Sequence, residues 1–264
     1  MKSKFHYLFI ALALRINHVH AGLLVNGSFE AATNAATLDY ISLSSGSTNI
    51  PGWTTTNAEL TWDGPLLGES ISPTLTAAQG SDFLDLTGTH DSPPYGAVFQ
   101  TMTTTIGQQY QVSFELGSDT YWDSYYGGGT FTAPMVAVSL NGVVVFFATN
   151  NFPNLSNYWQ TWSFYFTATA TNTTLMFTGV NTSSVAYIGL DNVIVTGRGP
   201  PLVIVLSEPN SVVVSWPSSV TGWTLQTNNN LVTGTWGNYA GSVINNAVTN
   251  SPPKGNLFFR LVNP

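Results

Sequence analysis

Leu23-Leu24-Val25-Asn26-Gly27-Ser28-Phe29-Glu30 is the stretch on which the fold reading turns. It is an apolar run that ends in one carboxylate, with an Asn and a Gly inside it. Far along the chain, Tyr187-Ile188-Gly189-Leu190-Asp191-Asn192-Val193-Ile194-Val195 has a similar make-up. Both stretches read as strands, the first and last of one β-sandwich. A carboxylate spoils a buried strand unless something satisfies it. One expectation is that Glu30 and Asp191 meet over a structural cation, since calcium takes carboxylate and carbonyl oxygens. The other is that each carboxylate caps backbone amides in its own turn.

The segments between these two stretches are also β-like. Gln109 to Leu116 places Val112, Phe114 and Leu116 on one face, and Pro134 to Leu140 does the same with Val136, Val138 and Leu140. Asn141-Gly142 then separates that run from Val143–Ala148, and both residues tolerate the positive φ of a tight hairpin. Trp159 to Thr167 alternates aromatics with polar residues. Further strands are expected at 38–43, 58–62, 83–87, 96–103 and 174–178. In the closing stretch Ile188 and Leu190 share one parity, while Val193 and Val195 have the other. That shift predicts a β-bulge at Asp191-Asn192. Trp53, after Ile50-Pro51-Gly52, is expected to plug the core. No stretch has a helical period, so the fold class is all-β: a jelly-roll β-sandwich.

Gly197-Arg198-Gly199-Pro200-Pro201 reads as a linker. Beyond it, short β runs and three tryptophans (Trp216, Trp223, Trp236) predict a small C-terminal β domain. The domain reading is a signal peptide at 1–21, a sandwich at 22–197, a linker at 198–201 and the small domain at 202–264. The leader rests on Lys2 and Lys4, an apolar run of ten residues from Phe5 to Leu14, and Ala21 before the expected cleavage. Ten apolar residues are too few to span a bilayer. The expected location is therefore secreted, extracellular or cell-surface.

Only 7 % of the chain is charged, against about 25 % in typical soluble domains. Loss of the leader leaves three basic residues against thirteen acids, a formal net charge of −10. That disfavours nucleic acid and anionic membranes as partners. With no cysteine and one remaining histidine, His90, nucleophile–base pairs and His-rich zinc sites have no material. A glycosidase using two carboxylates is the enzyme class left open. Its candidates, Glu59, Asp63, Glu69, Asp82, Asp85, Glu115, Asp119 and Asp123, are spread along the chain, and no spacing singles out a pair.

Leu24-Val25-Asn26-Gly27-Ser28-Phe29-Glu30, Gly52-Trp53 and Ile188-Gly189-Leu190-Asp191-Asn192-Val193 resemble, in that order, the galactose-binding-like jelly rolls of carbohydrate-binding modules. The middle, Gly80-Ser81-Asp82-Phe83-Leu84-Asp85-Leu86-Thr87-Gly88 with Phe99-Gln100-Thr101 and Gly107-Gln108-Gln109-Tyr110, is similar to the related plant cell-wall family of unknown function and its bacterial relatives. The resemblance covers residues 23–196. It implies a structural calcium held by Glu30 and Asp191, with the carbonyl of Ser28 as a further ligand. The tail, from Val213 to Leu261, resembles a small β module at the ends of secreted bacterial proteins.

For a ligand, Ser118-Asp119-Thr120-Tyr121-Trp122-Asp123-Ser124-Tyr125-Tyr126 stands out before a triple glycine. Aromatic rings stack on the C–H faces of sugars and carboxylates take the hydroxyls. Tyr121, Trp122, Tyr125, Tyr126, Asp119 and Asp123 are the ligand-binding candidates; packing over the sandwich edge is the competing reading. Trp62, Tyr95 and Trp159 are secondary candidates, with core burial the favoured reading for Trp159. The functional expectation is a secreted, non-catalytic protein that binds a polysaccharide or cell-wall glycan. A structural or adhesive surface protein without glycan affinity is the alternative.

Overall fold

The computed structural model describes residues 23–31, 40–64, 76–118, 132–151, 159–185, 187–207, 211–232, 234–251 and 255–262. The leader, the expected aromatic loop at 119–126, and Glu69 lie outside the described residues.

No helix occurs among the described residues, which form seventeen strands. In chain order they are β1 (Tyr40–Leu43), β2 (Thr54–Thr56), β3 (Leu60–Asp63), β4 (Phe83–Asp85), β5 (Ala97–Thr103), β6 (Gln109–Gly117), β7 (Met135–Leu140), β8 (Val143–Thr149), β9 (Trp159–Thr167), β10 (Asn172–Gly179), β11 (Gly189–Arg198), β12 (Val203–Ser207), β13 (Ser211–Ser215), β14 (Thr224–Asn228), β15 (Gly237–Asn238), β16 (Ala247–Asn250) and β17 (Phe258–Val262). The first eleven make two antiparallel sheets, ordered β1-β3-β4-β11-β6-β9 and β2-β5-β10-β7-β8. Two three-stranded sheets, β12-β13-β16 and β15-β14-β17, follow.

Alternation along the strands builds the core. From the six-stranded sheet, Leu60, Trp62, Leu84, Val112, Phe114, Leu116, Leu190, Val193 and Val195 are buried; from the five-stranded sheet, Val98, Met102, Val136, Val138, Leu175 and Phe177 meet them. Phe114 packs edge-on against Phe177, with centroids 5.0 Å apart, and so joins the two layers. A second, separate cluster holds Val212, Val214, Trp216, Leu225, Val248, Phe259 and Leu261.

The opening stretch is not a strand. Asn26 and Phe29 have positive φ, 53° and 60°, and Phe29 N–H donates to the Asn26 carbonyl at 3.2 Å. The segment is a turn, held in place by bonds to distant residues. The Gln100 side chain pairs with both backbone groups of Val25, accepting its N–H at 2.7 Å and donating to its carbonyl at 2.9 Å. The Trp53 indole donates to the Asn26 carbonyl at 2.9 Å, and that of Trp62 to the Phe29 carbonyl at 3.1 Å. A left-handed aromatic residue costs about 1–3 kcal/mol. Phe29 offsets this by complete burial against Trp53, with ring centroids 5.4 Å apart.

The bulge is present. Register between β11 and β6 shifts between Asp191 and Ile194, and Asn192 has φ of 49°. The shift keeps Leu190, Val193 and Val195 all in the core while Asp191 and Ile194 both face outward. Expected strand 58–62 begins later, at Leu60, and β2 and β16 were not expected. Thr54-Thr55-Thr56 carries no apolar alternation; it becomes a strand because β5 offers it an edge.

Candidate functional site

Two features of the six-stranded sheet combine chemistry-bearing side chains. The first is where the opening turn meets the loop before β4. Glu30 Oε1 accepts the N–H groups of Ser81 and Asp82, both at 2.8 Å. Asp191 Oδ2 accepts Gln79 N–H at 2.8 Å, and its Oδ1 accepts Asn192 N–H at 2.5 Å. Glu30 and Asp191, from the two ends of the domain, therefore both hold a third segment, 78–82. Gly80 makes the approach possible. Its φ is +75°, and a Cβ there would lie 2.3 Å from the Glu30 carboxyl carbon.

Asp82 is the residue that sequence reasoning missed here. Its side chain is buried and its Oδ1 has no hydrogen-bond partner. Burial, and then the Glu30 charge, push its carboxyl up to about 6. Burial pushes Asp191 up to about 7 against the pull of its amide donors, with Glu30 adding to the rise. Oxygen donors gathered without a basic residue are of the kind a hard cation takes. Among the described residues no three His, Cys, Asp or Glu side chains stand at metal-ligand spacing. Calcium would need backbone carbonyls as well as the carboxylates, and it accepts such mixtures. Ser28 lies in the wall of an adjoining cleft of about 220 Å³, with Leu24, Gly27, Gln79 and residues 192–195.

The second feature is the outward face of the sheet. Register aligns Thr61, Asp85, Gly189, Gly117 and Trp159 in one row across β3, β4, β11, β6 and β9. The next row holds Asp191, Glu115 and Thr161. Gly117 leaves room for Trp159, whose ring covers it so closely that a Cβ there would lie 2.8 Å away. The same ring meets Phe83 edge-on at 5.5 Å, and its N–H donates to the Thr76 carbonyl at 2.6 Å. Trp159 is thus half-buried on the outer face and not in the core. Beside it Thr161 donates to Glu115 at 2.8 Å. Thr161, Ser163 and Tyr165 follow along β9, all exposed, and the Arg198 guanidinium lies 4.7 Å over the Tyr165 ring.

Two secondary candidates are corrected. Trp62 is 2 % exposed and Tyr95 is 1 % exposed. Trp62 sits on the core face of β3 with its N–H on Phe29, and the Tyr95 hydroxyl donates to the Ser183 carbonyl at 2.9 Å. Neither ring can stack on a ligand. His90 is exposed and pairs with Glu59 at 2.9 Å. Among the carboxylates considered for hydrolysis, Asp63, Asp82 and Asp85 are buried, whereas Glu115 reaches solvent.

Residues 22–196 match the family described as Protein of unknown function (DUF642). The chain belongs to this family. The DUF642 region takes in both sheets of the sandwich up to Thr196 and each residue of the two features above except Arg198. Among curated proteins none matches. Solved structures resembling the chain include a Stig cyclase from Fischerella sp. TAU, 14 % identical, TM-score 0.47, covering 70 % of this chain and 98 % of that one. A family 35 carbohydrate-binding module from Clostridium thermocellum is 13 % identical, TM-score 0.36, over 59 % and 97 % of the two chains. The CBM22-1 xylan-binding domain from Paenibacillus barcinonensis Xyn10C is 15 % identical, TM-score 0.34, over 60 % and 92 %.

Proposed function

We propose that the chain is an exported, non-catalytic protein that binds a neutral glycan, on extracellular polysaccharide or at a cell surface, through the outward face of β6 and β9. The observation that carries this is the Glu115–Thr161 pair set between Trp159 and Tyr165. A sugar ring lays its C–H face on an aromatic ring, and its hydroxyls both donate and accept. Glu115 accepts two or more such bonds; Thr161 and Ser163 do either. Among the described residues of this face Glu115 and Arg198 carry the charge, and the negative charge of the chain opposes a polyanionic glycan. Calcium held by the Glu30 and Asp191 carboxylates together with backbone carbonyl oxygens clamps the opening turn to the last strand. It is a support for the fold: Asp191, at the β11 end of the row that holds Glu115 and Thr161, is fully buried and does not reach a sugar.

Affinity gel electrophoresis against neutral and acidic polysaccharides tests the reading. Retention by a neutral glycan, reduced about tenfold or more in Tyr165→Ala and Thr161→Ala, supports it. No retention, or retention unchanged in both variants, refutes it. A structural or adhesive role is the second reading, favoured by the edge strand β8, where Val143, Val144, Val145 and Phe147 are all exposed. Self-association abolished by Val145→Lys, without glycan retention, would establish that role instead.

A further inference from the structure

We propose that Asp63 and Asp85 form a proton-operated latch: a proton on at least one of the two carboxyls keeps β3 seated on β4, and loss of that proton in alkaline solution loosens the β1–β3 edge. The inference stands apart from glycan binding and from the cation.

The pairing of β3 with β4 spans three residues, Thr61 opposite Asp85, Trp62 opposite Leu84 and Asp63 opposite Phe83. Asp63 and Asp85 are therefore diagonal neighbours on one face of the sheet. Both are 2 % exposed. Asp85 ties three segments together, accepting Thr87 N–H at 2.9 Å, Thr87 Oγ1–H at 2.6 Å and Ile188 N–H at 3.0 Å. Asp63 is hydrogen-bonded by Thr61.

Among the described residues, the groups around the pair offer no compensating charge. Tyr40 on β1 is opposite Asp63, and Asp91 after β4 adds its negative field to Asp85. On β11, Asp191 lies two residues from Gly189, the partner of Asp85. Asp82, its N–H on Glu30, directly precedes β4 beside Phe83, and Glu59 is already paired with the exposed His90. The described arginines are elsewhere, Arg198 on Tyr165 and Arg260 on Trp236. Two adjacent carboxylates in a dry site without a cation do not both ionise cheaply. Burial, then Asp85, pushes Asp63 well above its ordinary range; burial pushes Asp85 to about 7 despite its three donors. Folded values above the unfolded ones mean stability that is complete below the unfolded values and is lost as pH rises through the folded ones, about 7 for Asp85. The short β3–β4 seam and the outer position of β1 make this edge the part that opens first.

Hydrogen exchange read by mass spectrometry on the full chain, with excess calcium throughout, tests the latch. After correction for intrinsic rates, residues 40–43 and 60–63 should open more often above pH 7, approaching about tenfold per pH unit, while 135–140 stay unchanged. Asp63→Asn should flatten that slope. In the wild type, infrared spectra at neutral pH should show the carbonyl stretch of a protonated carboxylic acid, diminished in Asp63→Asn and in Asp85→Asn. Protection independent of pH in the wild type, or an equal slope in Asp63→Asn, would overturn the proposal. Should Asp63→Asn fail to fold, wild-type exchange and infrared titration decide by themselves: a protonated carboxyl lost in step with edge opening supports the latch, and its absence at neutral pH refutes it.

Discussion

Val193 donates its N–H to the Gly27 carbonyl at 2.7 Å, and a Cβ on residue 27 would lie 2.0 Å from the Val193 carbonyl oxygen. Two backbones touch where the opening turn meets the bulge of β11. No side chain fits between them, and neither backbone can shift alone, because Val193 is anchored in the core. Gly27→Ala is expected to destabilise the domain by about 2–4 kcal/mol, lowering its denaturant midpoint with little change in slope. A midpoint within error of the wild type would show that this contact is loose.

Removal of a bound cation should uncover the carboxylate cluster at Glu30, Asp82 and Asp191. A chelator is expected to lower the melting temperature of the wild type. Glu30→Ala, which also frees the Ser81 and Asp82 amides, should melt lower without chelator and lose the chelator response. Equal melts with and without chelator would reject the cation.

The same cluster has a signed pH dependence. Asp82 at about 6 and Asp191 at about 7 both lie above their unfolded values. In cation-free buffer their contribution is complete below about pH 4 and is lost as pH rises through 6 to 7. Calcium stabilises the ionised forms, so excess calcium should remove this part of the decline. Thermal melts across that window, with and without calcium, check the sign. A cation-free protein that grows more stable from pH 5 to pH 8 contradicts it.

Trp62→Phe separates core from ligand surface. The variant keeps an aromatic ring but leaves the buried Phe29 carbonyl without its donor. The expected cost is about 1–3 kcal/mol in urea unfolding, with glycan retention at permissive temperature unchanged. Loss of retention in a fully folded variant would return Trp62 to the binding surface.

Much of the framework was legible before any coordinates. Val112, Phe114 and Leu116, or Val136 and Val138, alternate because one face of each strand is buried, and a period of two survives in the sequence. The parity change across Asp191-Asn192 announced the bulge for the same reason: four apolar residues had to stay on one face. That Glu30 and Asp191 would need partners was legible too, since a lone carboxylate in an apolar run must be satisfied; the partners are backbone amides of Ser81, Asp82, Gln79 and Asn192.

The sequence by itself determined the β architecture, the strand phases and the need of Glu30 and Asp191 for partners. Only the tertiary structure decided that 23–30 is a turn, because its hydrogen bonds come from Gln100, Trp53 and Trp62, far away in sequence. Tertiary structure also decided that Trp62 and Tyr95 are core while Trp159 lies outside. An aromatic residue in an alternating strand looks the same on either face, and the place of Trp159 depended on Gly117, which the neighbouring strand β6 brings alongside. Asp63 and Asp85, twenty-two positions apart, became one buried pair only through the β3–β4 register, which local pattern does not encode.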